Sequence, residues 1–542
     1  MAQLIGSQMF PSWYSDWMTI YYDIQPAMDA EPWFLSDLNR IIDQPTPLNF
    51  NSLAAQAIYS GKGAAVMRMI AVLDPATYRF QMSQYFNHKT ELGKKLLLYD
   101  YPDSVLGTKR IERILESWRV LDSYPLVTVE TSSTGRVTLH QSRFVRKTKT
   151  DERVSVTDDW KALLPIMYFE LDAAKKIKIT SLEENGLPVL LQSVMKPFKL
   201  NWHQSGYYRV NYSKEMWTNF ASVMKEQKIL DPEDKANLLD DAFTLAEYGY
   251  LHHGVPLSLV VYLRDGKEHH PLPWLTAAKH LERLYRRTLG SQMTYLLEFL
   301  VKLLVQSYLE DETAYTVVKQ PILDVIRKVA ILDLAGEFAE QEAVGRLKYI
   351  LTVFLEEGTI PLELKRVAFA HAFKGETIDD ELYFRVLDSF RDETDIFKKI
   401  MIWTALVGVQ NKDYVERLWE LANEPDDSDV DDRFNMIARF KILSSNPLSH
   451  DYFWPGIKER WPDYHLLPPE RRNNVRAILL NLIEYSNDPD VLSDISDFGK
   501  ANEDLDVTYY ALKIKADCAR LATPNYLLFV EEWLHLYIMN ST

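Results

Sequence analysis

Hydrophobic positions along the chain change their spacing after Trp118 and again after Ser213. Before Trp118 the clearest element is a helix from Leu53 to Ile70, set among further helices and connecting loops, with no glycine-rich phosphate loop. After Trp118 the pattern alternates. Leu126 to Glu130, the turn residues Thr131 to Gly135, and then Val137, Leu139 and Gln141 predict a hairpin. Ile166 to Leu171 and Ile177 to Thr180 continue the alternation, Asn185-Gly186 marks a turn, and Val189 to Val194 is again rich in β-branched residues. Short strands at this spacing predict a small antiparallel β-sandwich over 120–212. From Ser213 onward the spacing is helical. Asp231-Pro232-Glu233-Asp234 reads as a helix start, with Asp231 placed to cap free N–H groups, proline tolerated in the first turn, and acids facing the positive end of the dipole. Leu239, Ala242, Phe243 and Ala246 then share one face. Similar helices joined by short polar turns run to the C-terminus and predict a HEAT-like α-solenoid over 213–542, without a strict repeat period. The fold class expected is therefore α+β and multidomain.

Composition narrows the function. A chain of 542 residues with 47% hydrophobic and 25% charged residues has the apolar surface to fold, over more than one core. Its formal charge, 61 − 77 = −16, repels phosphate backbones, and no segregated basic patch offsets it, so nucleic acid is excluded as a partner. The longest helical apolar stretch, Met293 to Leu309, carries Glu298 and Lys302, so no transmembrane segment is expected. The start has neither a basic region nor an adequate apolar one for a secretion signal. Cys518 is the single cysteine, so no intrachain disulfide forms and a cytoplasmic location is slightly favoured; cell-surface or secretory placement stays open if an N-terminal portion precedes this chain.

Several local features read as structural. Asp426 to Asp432 has aspartate where a calcium loop needs glycine and Ala438 where it needs glutamate, and so reads as a solvated turn. His252-His253 and His269-His270 look exposed, and neighbouring histidines do not share a helical face to hold zinc. Cys518 reads as a buried structural thiol, and Lys62 lacks the spacing of a phosphate-loop lysine. Asn211-Tyr212-Ser213 and Asn540-Ser541-Thr542 are glycosylation sequons that matter only in a secreted protein.

Four stretches together resemble the aminopeptidase N-like zinc peptidases, over nearly the whole chain. Leu200-Asn201-Trp202 with Gly206-Tyr207-Tyr208-Arg209-Val210-Asn211-Tyr212 is similar to that family's junction between β-sandwich and helical domain. Asp234 to Phe243 resembles the first helix of the helical domain, and Ser445-Asn446-Pro447-Leu448 a later one. Trp118 followed by Tyr124 to Val129 resembles the exit from the catalytic domain. The resemblance implies that 1–119 is the C-terminal, helical remnant of a thermolysin-like domain. It implies as well that the chain starts inside that domain, the family's G-A-M-E-N motif and its N-terminal domain being absent from this sequence.

Family chemistry needs a zinc on two histidines of H-E-x-x-H and a later glutamate, with a tyrosine stabilising the oxyanion. No His-Glu dipeptide occurs here. Matching Gln3 to Ser7 to the segment after the second histidine places Ala2 at that histidine, and continuing through Pro11 to Asp16 places Tyr21 at the third ligand. A phenol titrating near ~10 is a poor replacement for a carboxylate on zinc. Ser60-Gly61-Lys62-Gly63-Ala64 aligns with the oxyanion motif, with Ser60 at the tyrosine's position. Tyr59 is one residue off, a turn of ~100° on a helix, and substitutes only with a backbone adjustment. Arg209 reads as structurally paired. The resemblance therefore implies a catalytically inactive relative, with no zinc expected in this chain, binding peptides or a protein partner in the bowl of its helical domain. The alternative is a fragment of an active zinc aminopeptidase that removes N-terminal residues, with Asp16 or, better, Asp23 taking over as ligand. A pure scaffold without a peptide pocket is the third reading.

Overall fold

The computed structural model describes residues 16–30, 53–76, 78–80, 83, 111, 113–114, 117–118, 123–145, 162–172, 174–183, 187–191, 197–226, 228–311, 315, 320–358, 360–375, 378–423, 436–460, 466, 468–505, 507–523 and 526. They fall into two compact units, residues 1–262 and 263–542. The described chain is mostly helical, with two small sheets and a C-terminal helical domain.

The first unit opens on α1 (Asp16–Thr19), which passes through a π-helical turn (Ile20–Ile24) into α2 (Gln25–Ala30). Thr19 and Gln25 keep right-handed helical angles, so the three pieces are one helix with a bulge at Tyr21 to Asp23. Helix α3 (Leu53–Leu73) packs on that bulge and on α2. Gly61 sets the closeness of approach. A Cβ there would lie 2.2 Å from the Asp23 carbonyl oxygen and 2.5 Å from the Ala27 Cβ, so only glycine admits the contact.

Strands β1 (Pro125–Thr131) and β2 (Val137–Arg143) form the hairpin expected from their alternation, in the register Pro125 opposite Arg143, with Gly135 at φ +77° in the turn. Strands β3 (Leu164–Glu170) and β4 (Lys178–Leu182) pair antiparallel. Next come β5 (Val189–Leu191), β6 (Phe198–Leu200) and β7 (Arg209–Asn211). The sheets run β5-β2-β1-β7 and β4-β3-β6, with β7 parallel to β1. The expected strand from Val189 ends, within the described residues, at Leu191, and the Asn185-Gly186 turn lies outside them. Strands β6 and β7, three residues each, are too short to leave a period in the sequence. β3 is buried from Leu164 to Phe169, which is why it reads as an unbroken apolar run.

Helices α4 (Lys214–Val223), α5 (Pro232–Glu247) and α6 (Gly254–Val260) complete the unit. The apolar face expected on α5 is only part of what it buries: every residue from Asp234 to Ala246 is enclosed. Its polar residues are consequently internal partners of the strands and loops rather than a solvated face.

The second unit contains α7 (Pro271–Thr288), α8 (Gln292–Leu309), α9 (Ile322–Glu337), α10 (Gln341–Glu357), α11 (Leu362–His371), α12 (Asp380–Asp392) and α13 (Ile396–Val407). It continues with α14 (Lys412–Asn423), α15 (Met436–Leu443), α16 (His450–Arg460), α17 (Pro469–Tyr485), α18 (Pro489–Ala501) and α19 (Thr508–Leu521). Odd-numbered helices pack each on the next odd one, from α7 to α19, and α7 also touches α17 and α19, so this layer closes on itself. Even-numbered helices lie alongside and are joined by aromatic pairs, Tyr383 with Tyr414, Trp419 with Phe453 and Trp454 with Phe498. Trp403, Leu418, Leu443, Leu482 and Ile495 belong to the shared apolar core. No described helix is long and apolar enough to cross a membrane.

Candidate functional site

Tyr21 and Asp23 lie on the π-helical bulge, and Tyr59 and Ser60 on α3 directly before Gly61, so the two segments that the resemblance singles out are packed together. Tyr21 is half-buried with its ring edge-on to Tyr22 at 5.0 Å, and Tyr22 is exposed. Asp23 is half-buried beside α3. Asp16 opens α1. Ala2 lies outside the described residues. The phenol of Tyr21 is engaged with a neighbouring ring, and a phenol fits zinc less well than the carboxylate that the resemblance leads one to expect at this position.

Behind this pair of segments is a buried polar hub built from the resemblance motifs. Arg209 of β7 donates to Asp240 at 2.6 Å and Asp241 at 3.1 Å on α5, reaches Asp29 of α2 at 3.4 Å, and donates from Nε to the Tyr124 hydroxyl. Tyr124 in turn donates to the Met28 carbonyl. Burial pushes the Asp241 carboxyl up to about 7; the charge of Arg209 opposes this and that of Asp240 adds to it. Trp118 and Tyr124 both pack edge-on against Tyr207. Arg209 is thus a structural pairing residue, joining α2, β7 and α5.

A second cluster lies where the chain leaves β6. His203 Nε2 is 2.9 Å from Asp231 Oδ2 and 3.9 Å from Asp234 Oδ2, and among the described residues these three form a group able to hold a metal ion. Asp231 occupies the N-cap position of α5, yet its side chain makes no capping hydrogen bond. The expected cap is absent because Oδ1 is taken by Lys175 at 2.5 Å and Oδ2 by His203. His203 left no signal in the sequence, since it has no partner within a helical turn and meets Asp231 across 28 residues.

The closed layer of the second unit carries a third cluster. Arg286 on α7 contacts Glu282 at 3.4 Å, Glu337 on α9 at 3.6 Å and Glu484 on α17 at 3.8 Å, while Lys374 pairs with Glu337. Arg287 pairs with Glu484 at 2.7 Å, and Tyr510 on α19 donates to the same carboxylate. Burial works against the charge of Glu484, but Arg287 and Arg283 outweigh it and hold the carboxyl down at about 2. Glu282 goes the other way: burial, reinforced by Glu337 and Asp333 and opposed by Arg286, pushes it up to about 7.

The remaining residues have structural roles or lie outside the described set. His253 is buried, contrary to the exposure expected of its loop, because it leads directly into the buried α6. His252 accepts from the Gly254 N–H, His270 caps α7 by accepting from the Leu272 N–H, and exposed His269 contacts Arg327. Cys518 is half-buried against the helical core, and burial pushes its thiol up to about 11. Asn211 is half-buried on β7; Asn540 and the Asp426 to Asp432 run are outside the described residues. Asn446 donates to the carbonyls of Val407 and Val409 and accepts from the Leu448 N–H, which explains the Ser445 to Leu448 motif as a helix-to-helix tie.

Two small sheets tied to their neighbouring helices by a buried arginine–aspartate hub, followed along the chain by a closed two-layer helical array, define a peptidase-type C-terminal architecture. Residues 197–517 match the family model described as "ERAP1-like C-terminal domain", and the chain belongs to that family. The chain is 21% identical to human thyrotropin-releasing hormone-degrading ectoenzyme over 466 residues, covering 81% of this chain and 43% of that protein. It is 21% identical to mouse glutamyl aminopeptidase over 82% of this chain and 46% of that one, and 22% identical to aminopeptidase A of Gloydius brevicauda over 79% and 45%. The chain thus spans a little under half the length of these relatives, and with them it is aminopeptidase-like and of the metallopeptidase family.

Proposed function

We propose that this chain is a catalytically inactive aminopeptidase N-like protein that binds peptides or a protein partner in the bowl of its helical domain. In this reading 1–119 is the remnant of a thermolysin-like domain, 120–212 a β-sandwich and 213–542 the binding solenoid. The observation that carries it is the combination of a preserved frame with an altered ligand. Gly61 seats α3 against the Tyr21 to Asp23 bulge, and in the alignment that the resemblance implies Tyr21 takes the position of the third ligand, where a carboxylate is needed. The closed helical layer supports this reading, because stacked helices offer an extended ligand contacts with several helices at once.

The test uses the full chain with a panel of aminoacyl-coumarin substrates and a mixed peptide pool. The expected result is no coumarin release above buffer, with peptide-dependent protection from hydrogen exchange in helices of 263–542. Chelator-sensitive turnover that Asp23→Ala abolishes would establish the active-fragment reading instead. Absence of both turnover and protection would leave a scaffold.

A further inference from the structure

We propose that His203, Asp231 and Asp234 form a divalent-metal site, suited to zinc, that clasps the loop after β6 to the start of α5. This site is separate from the Tyr21 and Ser60 positions and does not depend on the function proposed above.

The loop holds His203 in place. Asn201 and His203 both adopt left-handed angles, with φ +56° and +51°. Asn201 Nδ2 donates to the carbonyls of Gly206 at 3.2 Å and Tyr208 at 3.1 Å, and its Oδ1 accepts from the Gly206 N–H at 2.8 Å. Arg68 of α3 donates to the carbonyls of His203 at 3.0 Å and Gln204 at 2.7 Å. The imidazole stacks on Trp202, with 4.2 Å between ring centroids. Its position is therefore set by the fold before any ion arrives.

The two carboxylates are three residues apart at the first turn of α5 and so face the same side. Each has one oxygen anchored and the other turned to the imidazole. Asp231 Oδ1 is held by Lys175; Asp234 Oδ1 is held by Lys199 at 3.1 Å and by the His203 N–H at 2.8 Å. Asp234 is fully buried, and its Oδ2 accepts no hydrogen bond. A buried carboxylate oxygen without a partner is costly, and a cation beside it removes that cost.

Spacing and chemistry agree. One ligand atom from each of the three residues lies within 4.8 Å of the other two, and Nε2 stands 2.9 Å from Asp231 Oδ2 and 3.9 Å from Asp234 Oδ2. Donors about 2.0–2.2 Å from a shared tetrahedral zinc stand about 3.4 Å apart, between the two distances from Nε2, so small side-chain rotations bring the three onto one ion. One imidazole and two carboxylates suit zinc or a neighbouring transition metal better than magnesium or calcium, which take oxygen alone. Lys175 and Lys199 balance the two carboxylates and weaken the site relative to a bare pair, but they occupy only the outward oxygens. An ion here ties loop and helix together, so binding adds to folding stability.

The experiment strips the full chain with EDTA, desalts it, adds zinc chloride, passes it through gel filtration and counts the metal by mass spectrometry. The wild type is expected to retain one ion per chain and to unfold at a higher temperature with zinc. His203→Gln and Asp231→Asn should each bind at least about tenfold more weakly and lose the zinc-dependent shift. Asp234 is left intact because it also holds Lys199, and far-ultraviolet dichroism of the metal-free variants checks their fold. A wild type that retains no zinc, or either variant that binds it as tightly as the wild type, would overturn the site and leave a plain His203–Asp231 hydrogen bond.

Discussion

Glu282 and Arg209 show how burial changes the meaning of a charged residue. Arg209 is wholly enclosed, and its guanidinium is tolerated only because Asp240, Asp241 and Asp29 surround it. Its role as a pairing residue was legible in the sequence; its partners were not, because Asp240 and Asp29 are brought together only by folding. Glu282 is pushed up to about 7, so between roughly pH 4.5 and 7 the folded chain keeps a proton that the unfolded chain has released. Stability tied to this group therefore falls as pH rises through that window. Glu282→Gln carries no charge to bury, and it should be about 1–3 kcal/mol more stable than the wild type above pH 7 and equal to it near pH 4. Urea unfolding at the two pH values measures this.

At the level of elements, the same residue type at the same helix position serves different ends. Asp488 caps α18, accepting from the N–H groups of Asp490 at 2.8 Å and Val491 at 3.3 Å, whereas Asp231 at the head of α5 turns to Lys175 and His203. Both aspartates precede a proline, so local sequence does not tell them apart; tertiary partners decide. Asp488→Ala should cost about 1 kcal/mol, read as a lowered urea midpoint with unchanged slope. The β1–β2 hairpin was legible because its two faces differ and Gly135 supplies the turn, while β6 and β7 exist only through pairing with β3 and β1. Helix α3 was legible as a helix, but nothing in its periodicity marked Gly61 as the point where it meets Asp23.

At the scale of each whole unit, closure is the property that the sequence pattern does not carry. Arg287 on α7 meets Glu484 on α17 across 197 residues, and Tyr510 on α19 joins the same carboxylate. Because Glu484 is held down at about 2, the stability it contributes is present above its ordinary range near 4.5 and is lost as pH falls toward 2. Arg287→Met removes the nearest cation of that carboxylate, leaving Arg286 and Tyr510, and should cost about 2 kcal/mol at pH 7 and flatten the acid limb below pH 4.5, as followed by urea unfolding. Helical spacing after Ser213, alternation between Leu126 and Gln141, and the motifs around Asn201, Arg209 and Asp234 were enough by themselves to determine the hairpin, the long helical run after it and the family. Periodicity and spacing are local, and apolar patterning dictates which face is buried whatever lies opposite. Only the tertiary structure decided that α7 returns to α17 and α19, that α5 is enclosed on every side, and that His203 faces Asp231 and Asp234. Those pairings are long-range choices among chemically equivalent charged residues, and they are settled by which groups the packed chain leaves within reach of one another.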